Sequence, residues 1–419
     1  MEMLRFMPKI AKILLLAASV VLVLTVFLGV NTSGVKAAAN AQDGAYHQIE
    51  VYTEVMHHIQ QDYVTDPNIP AVTHGALRGL LESLDADSSY LTADDYKIYK
   101  AAGSTPGNGG RVQVGINVSK RYGYATVVSV VPGSAADKAG LINGDILEAI
   151  DGRDTRDISL AMIRLMLEGA PGSTLTVGVI SHDGKAEPVK TSMVRAAAAI
   201  PLVSVSLYEN NSILYLKPGV LDSDHVDVVE AKLKGMQKAG NKKILLDLRD
   251  VATGEMPQAV RLTNLLLGSG TIATLQGQKF PKQTFTADAA KAVQPTAPLV
   301  VLVNRGTAGP AELVAAALLD NKRANLVGEK TFGEGAEQKT FELSDGSALI
   351  LSVAKYASPS GKIMQDEAVT PDVLVSSGAN AGDGDEEALP PSAAPIVKKP
   401  GVQLDEPLSK ALDLLKAKA

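Results

Sequence analysis

A chain of 419 residues with 46% hydrophobic side chains is long enough for two or three domains and for a sizeable core. It contains no cysteine, which excludes a disulfide framework and any thiolate metal site. The net charge is −6 and the basic residues form no long block, which argues against nucleic acid as the main partner.

The N-terminus reads as a targeting segment. Arg5, Lys9 and Lys12 precede an apolar run of 18 residues, Ile13–Val30. Secretory signals carry apolar runs of roughly 7–15 residues and membrane spans roughly 17–25, so this run lies at the boundary. Ala37–Ala39 offers a cleavage site of the A-x-A type. Cleaved signal and uncleaved membrane anchor both stay open. Either way, the leading positive charges place the rest of the chain outside the cytoplasm, in the periplasm or at the cell exterior. Residues 1–40 are set apart from the fold.

Residues 41–102 form an N-terminal helical segment, with apolar Ile49, Tyr52, Val55, Met56 and Ile59 at three-four spacing. A second helix follows over "AVTHGALRGLLESL". "AAGSTPGNGG" at 101–110 is a linker by composition. The next domain, 103–197, alternates short β runs with turns around one helical piece, "LAMIRLMLEG". Gly140 and Gly144 mark tight turns there, and Leu141, Ile146, Leu147 and Ile150 are core candidates. Residues 198–375 alternate strands ("SILYLKP", "KKILLDLRD", "PLVVLVN") with helices ("VDVVEAKLKGMQKAG", "AVRLTNLLLGSG", "AELVAAALLD"), the pattern of a largely parallel sheet. Residues 376–400 read as a disordered acidic linker and 401–419 as a C-terminal amphipathic helix.

The stretch "LVNRGTAGPAELVAAALLDNKRANLVGEKTFGEGAEQ", 302–338, raises a chemical question. An apolar run stops at a Gly/Pro-rich turn and a helix over Glu312–Leu319 follows, the place where an α/β hydrolase keeps its nucleophile. Yet this stretch holds no Ser, Cys or His.

That stretch, with "YASPSGKIMQDEAVTPDV" after it, resembles the catalytic core of the C-terminal processing (tail-specific) serine peptidases. Three earlier pieces are similar to the same family, in the family's order: the helical lead-in "YVTDPNIPAVTHGALRGLLESLDADSSYL", the PDZ domain "RVQVGINVSKRYGYATVVSVVPGSAADKAGLINGDILEAIDGRD", and the strand–turn–helix "KKILLDLRDVATGEMPQAVRLTNLLLGSG". The resemblance covers roughly residues 45–415. It implies a mixed α/β fold: an α/β peptidase core with an inserted, β-rich PDZ-like domain and an N-terminal helical segment.

The resemblance also implies a site. The family's serine lies in a run of small residues ending in Glu; here the run ends at Glu312 and the serine position is Gly309. The family's lysine base lies in a G-K-G loop; here the loop is G-E-G and the position is Glu334. Gln338, four residues on, and Asp320, on the helix after the nucleophile, are retained. The oxyanion region falls at Gly254 and Pro310, with Thr253 where the family's N-P-G-G turn has its first glycine. Gln113, Val114, Gly115 and Ile116 fall at the loop that receives a peptide's terminal carboxylate, the peptide then adding as a strand to the sheet edge. Gln113 replaces a glycine usual there, a change that bears on the loop's geometry.

Acyl transfer needs an atom that attacks a carbonyl and later leaves, and a base with a free lone pair near neutral pH. Gly309 has no side chain and Glu334 inverts the charge of the base. Thr307 lies on the tight turn with its hydroxyl expected to point elsewhere. No spacing directs Lys330 or Lys339 to the site, and Glu334 and Glu337 read as exposed loop charge with no reason to converge on a water. "GEKTFGEG" has the G-x4-G of a phosphate loop but lacks its lysine. His57 and His58 are adjacent, hence about 100° apart on a helix and ill placed for a metal. His47, His74, His182 and His225 are scattered and read as surface or helix-packing residues. No metal and no dissociable cofactor are expected.

Two functional readings follow. The first is a catalytically inactive homologue outside the cytoplasmic membrane, held to it if the N-terminal segment stays uncleaved. It binds protein or peptide C-termini through its PDZ domain as an adaptor or regulator, as a homo-oligomer or with an active relative. The second is an active serine-type endopeptidase that processes or degrades extracytoplasmic proteins from their C-termini.

Overall fold

The computed structural model describes residues 46–103, 110–121, 123–181, 187–197, 200–376 and 405–418. The targeting segment, residues 104–109 of the linker, His182 and the acidic linker from residue 377 lie outside the described residues. The chain divides into two units, Met1–His74 and Gly75–Ala419. In the first, helix α1 spans 46–62 and carries the expected apolar stripe, but Ile49, Tyr52 and Val55 on it are exposed. Helix α2 (Ile69–Glu82) is capped by Asn68, whose side-chain oxygen accepts from Ala71 N at 3.1 Å.

The 41–102 segment is not wholly helical. Between α2 and helix α3 (Ala93–Gly103) lies a short strand, β1 (Ser89–Leu91), fully buried and paired with a strand of the core far along the chain. Three residues defeat periodicity analysis, which needs four or more to show alternation. Helix α3 also runs through Gly103, so it takes the first residues of the expected linker.

The PDZ domain follows. Its strands are β2 (Ile116–Arg121), β3 (Tyr124–Val130), β4 (Ile146–Ile150), β5 (Arg153–Asp154), β6 (Thr174–Ile180) and β7 (Val189–Val194). They form one sheet in the order β2-β3-β4-β6-β7, with β5 on β4, so β2 is an edge strand. Short α4 (Ala135–Lys138) and then α5 (Leu160–Leu167) pack on it. Helix α5 starts at Ser159, whose hydroxyl accepts from Met162 N, and buries Leu160, Ile163 and Leu167, one face at i, i+3, i+7. Those side chains meet Val118, Val127, Leu147, Ile150, Leu175 and Val177 from the sheet. Leu141 joins the same core, and Gly140 and Gly144 take positive φ, as the turns require.

The peptidase-like core is built on β8 (Ser204–Tyr208), β9 (Ile213–Lys217), helix α6 (Ser223–Gly235), β10 (Lys243–Asp247), helix α7 (Met256–Leu266), β11 (Thr271–Gln276), β12 (Gln283–Thr286), β13 (Leu299–Val303), helix α8 (Pro310–Asp320), β14 (Asn325–Gly328), β15 (Ala336–Glu342), β16 (Ala348–Ala357), β17 (Val373–Leu374) and helix α9 (Glu406–Ala417). The expected parallel sheet is present, in the order β17-β14-β13-β10-β9-β8, with only β8 antiparallel to its neighbour. Strand β13 explains its unbroken apolar sequence. Leu299, Val301 and Val303 face the α7/α8 side, while Val300 and Leu302 face α9, where Ala411 and Leu415 cover them. Alternate residues point to opposite faces, and both faces are buried.

A second sheet of the core departs from the sequence reading. It is antiparallel, in the order β1-β16-β11-β12 with β15 also on β16. Its strands β12 and β15 are polar and largely exposed, so they carry no apolar alternation to announce them.

Candidate functional site

Strand β13 delivers the chain into the turn Asn304–Ala308. Asn304 holds that turn to the one that follows β10: its Oδ1 accepts from Asp250 N and Gly306 N, both at 3.0 Å, and its Nδ2 donates to Asp250 Oδ1 at 2.9 Å. Thr307 is buried and its hydroxyl donates to Leu248 O at 2.9 Å. That hydroxyl is spent on the scaffold, as the turn led one to expect.

The next residue but one, Gly309, adopts φ +56°, ψ −116° and begins helix α8. L-residues seldom occupy this region, and nucleophile elbows are built on just such a sharp strand-to-helix turn. A Cβ placed on Gly309 would be 4.0 Å from Glu334 Oε2. The serine and lysine positions implied by the family resemblance are therefore brought together, although their residues are Gly and Glu.

Glu312 makes the two positions meet, and the sequence reading assigned it no role. Its carboxylate is wholly buried and accepts from Gly309 N at 3.0 Å, Gly333 N at 2.7 Å, Glu334 N at 2.8 Å and the Thr331 hydroxyl. One side chain thus ties the elbow to the facing loop. Burial pushes its carboxyl up to about 7, against the pull of those four donors. Glu at the third position of a helix is the reciprocal half of a capping box, a signal that sequence alone could have yielded.

Glu334 is not a free loop charge, which corrects the sequence reading. Its side chain retains 31% exposure and its Oε1 accepts from Arg164 Nη2 at 3.1 Å. The same nitrogen lies 3.4 Å from Asp87 Oδ1. Burial raises the carboxyls of Glu334 and Asp87 above the ordinary range, and the Arg164 guanidinium opposes that rise in both. Arg164 comes from α5 of the PDZ domain, 170 residues away in sequence.

The remaining expected residues divide. Gln338 joins the cluster, its Nε2 donating to the backbone oxygen of Asp87 at 3.1 Å. Gln338 and Asp87, with Arg164, Glu168 and Tyr99, line a cleft of about 270 Å³ that Glu334 does not line. Asp320 does not join: it ends α8, about 16 Å along the helix from Gly309, and accepts from Ser360 N at 2.9 Å. Glu337 is exposed on β15, Lys330 is exposed, and Lys339 lies over the Phe341 ring, so none forms a substitute centre with Glu334.

Gly254 has φ +151°, and a Cβ there would meet Leu221 O at 2.6 Å, so this turn accepts only glycine. Pro310 occupies the first turn of α8. Elbow hydrolases use the N–H of the residue after the nucleophile to hold the oxyanion, and proline has none. Position 310 therefore offers no backbone N–H to an oxyanion.

In the PDZ domain, α5 lies against the edge strand β2. Gly115 takes φ +89°, and a Cβ there would overlap Ser134 Cβ at 2.2 Å, so this turn requires glycine. Val114 and Ile116 are buried beside it. Gln113 turns inward: its Oε1 accepts from Ile116 N at 3.2 Å. Two residues on, Arg164 Nε donates to Val118 O at 3.2 Å. The same strand meets the core, Asn117 Nδ2 donating to Thr253 Oγ1 at 3.1 Å.

Of the histidines, His225 is buried on α6 between Asp222 Oδ1 at 2.6 Å and Pro201 O at 2.9 Å, a packing role. Among the described residues no group of three or more His, Asp or Glu is arranged to hold a metal ion.

A strand–elbow–helix facing a loop, with a PDZ sheet edge against the turn beside it, defines the class: an elbow-type hydrolase framework joined to a peptide-binding module. Residues 213–375 match Peptidase family S41 and residues 126–180 match the PDZ domain. The carboxy-terminal-processing protease of Bartonella bacilliformis is 30% identical over 341 residues, 80% of this chain and 77% of that one. The carboxyl-terminal-processing protease of Picosynechococcus sp. is 34% identical over 304 residues, 72% of each chain. Among solved structures, a photosystem II D1 C-terminal processing protease matches with a TM-score of 0.64 at 26% identity, over 78% of this chain and 86% of that one. The chain belongs to Peptidase family S41, in the company of the carboxy-terminal processing proteases.

Proposed function

We propose that this chain is a catalytically silent member of its family that binds protein C-termini through the PDZ domain and acts as an adaptor or regulator outside the cytoplasm. The observation that carries the reading is the Gly309–Glu334 pair: the nucleophile and base positions face each other, and neither residue does that chemistry. Pro310 supports it independently by removing an oxyanion donor. The Gly115 turn, which a Cβ would close, supports a working carboxylate loop.

One observation favours a second reading. The relatives bear the names of proteases, and a serine-type endopeptidase acting on C-termini is what those names describe. For this chain that reading needs a relocated centre, and Thr307, Lys330, Lys339 and Glu337 are each committed elsewhere or exposed. The test is turnover of an unstructured protein with an apolar C-terminal tail by the purified chain. The silent reading expects none. Turnover that survives rigorous purification and disappears with a point change at Thr307, Lys330 or Glu334 would replace it with the second.

A further inference from the structure

The ligand edge of the PDZ groove is already occupied by two of the protein's own side chains. A peptide that adds to β2 brings a terminal carboxylate to the N–H groups of the Gln113–Ile116 loop and backbone N–H groups to the free carbonyls of the strand. Gln113 Oε1 holds Ile116 N–H at 3.2 Å, the place of a carboxylate oxygen. Arg164 Nε holds Val118 O at 3.2 Å, the place of a ligand N–H. One group mimics the ligand's acceptor and the other its donor, at alternate residues of one edge strand.

Arg164 does more than fill space. While its Nε caps Val118 O, its Nη2 holds Glu334 Oε1 at 3.1 Å and lies 3.4 Å from Asp87 Oδ1. Both carboxylates come from outside the PDZ domain, so the guanidinium ties the capped groove to the degenerate centre. The glutamate that abolishes the base chemistry is the one that holds the arginine in place. A lysine at that position would repel it.

We propose that the PDZ groove is self-closed, with Gln113 and Arg164 as its internal ligands, and that Glu334 is the anchor that keeps Arg164 there. An incoming C-terminus must displace both side chains, and in doing so it breaks the Arg164–Glu334 pair. Peptide binding and the pairing at position 334 are then linked, each weakening the other by the same factor. This rests on the reading of the domain as a binder of C-termini.

The test uses the full chain and a synthetic peptide with a free carboxylate and an apolar last residue, titrated by calorimetry against wild type, Gln113→Ala, Glu334→Gln and Arg164→Met. Thermal melts establish that each variant is folded. Each single change is expected to tighten binding about five- to tenfold, because a closed fraction no longer has to be opened. In the Arg164→Met background, adding Glu334→Gln should change nothing further. Equal affinity of wild type, Gln113→Ala and Glu334→Gln overturns self-closure while leaving peptide binding intact. Tightening by Gln113→Ala but not by Glu334→Gln overturns the anchor. No binding by any folded variant overturns this inference and the C-terminus-binding reading together.

Discussion

A Cβ on Gly309 lies 4.0 Å from Glu334 Oε2, so the elbow and the opposite loop keep the approach that a serine–lysine dyad would need. Glu312 maintains it, with donors from both sides converging on one carboxylate.

Rebuilding the centre should therefore need three changes rather than two. Gly309→Ser alone places an L-residue at φ +56° and should lower stability by about 1–3 kcal/mol, measured by urea unfolding, with no gain of activity. Gly309→Ser with Glu334→Lys supplies nucleophile and base, but Pro310 still withholds an oxyanion donor. Adding Pro310→Ala should raise peptidase turnover by on the order of 10²–10³-fold over the double variant. A triple variant no better than the double would show that the missing N–H is not the limiting loss.

Much of this site was legible before any coordinates. Gly309, Pro310 and Glu334 were singled out by the resemblance to the C-terminal processing peptidases, carried by a small-residue run that ends at Glu312 and a glycine-bracketed loop. What stayed hidden is long-range. Arg164 reaches Glu334 across 170 residues, and nothing in either neighbourhood indicates the other. Strand β15 escaped notice because "AEQKTFE" is exposed along almost its whole length and carries no apolar face. Asp320 misled for the opposite reason: it is kept in the motif but stands at the far end of the helix that Gly309 begins.

The placement outside the cytoplasm rests on Arg5, Lys9 and Lys12 ahead of the apolar run. A reporter active only in the cytoplasm, fused after residue 419, should give no signal in cells. Strong signal would refute the placement.

The proposed role of Gln113–Ile116 as a carboxylate loop predicts a chemical preference in the peptide. A free terminal carboxylate accepts charge-assisted hydrogen bonds from backbone N–H groups that an amide cannot replace in strength. Amidating the last residue should weaken binding by about tenfold or more, equivalent to roughly 1.5 kcal/mol or above. Equal affinity for acid and amide, by calorimetry on the same chain, would exclude this mode.

The C-terminal helix is held by a buried charge cluster that can be tested separately. Asp247 is fully buried and receives Arg249 Nη2 at 2.6 Å and the Tyr215 hydroxyl at 2.9 Å, while Arg249 Nη1 reaches Asp405 at 2.8 Å. Arg249→Met leaves Asp247 charged, buried and without its cation, and should destabilise the core by about 3–5 kcal/mol. Asp405→Asn removes a partner that keeps 38% exposure and should lose about 1 kcal/mol or less. Urea unfolding of both variants decides; a larger loss from Asp405→Asn would invert the assignment.

Glu312 should leave its mark on the pH dependence of stability. Burial raises its carboxyl from the ordinary 4.5 to about 7 in the folded chain. Between those values the folded state keeps a proton that the unfolded state has released. The stability this supplies is complete below about 4.5 and is lost as pH rises through about 7, amounting to roughly 3 kcal/mol. Asp222, Asp320 and Asp405, whose carboxyls are held low, act in the opposite sense and only in more acidic solution. Unfolding free energies measured at pH 5, 6, 7 and 8 should therefore fall with pH more steeply for wild type than for Glu312→Gln, which cannot ionise. The amide also sets its own donor against the incoming N–H groups, so the variant starts from a lower stability at every pH. The slope, not the offset, carries the prediction. Parallel curves for the two proteins would mean that Glu312 is already ionised across this range, held so by its four donors.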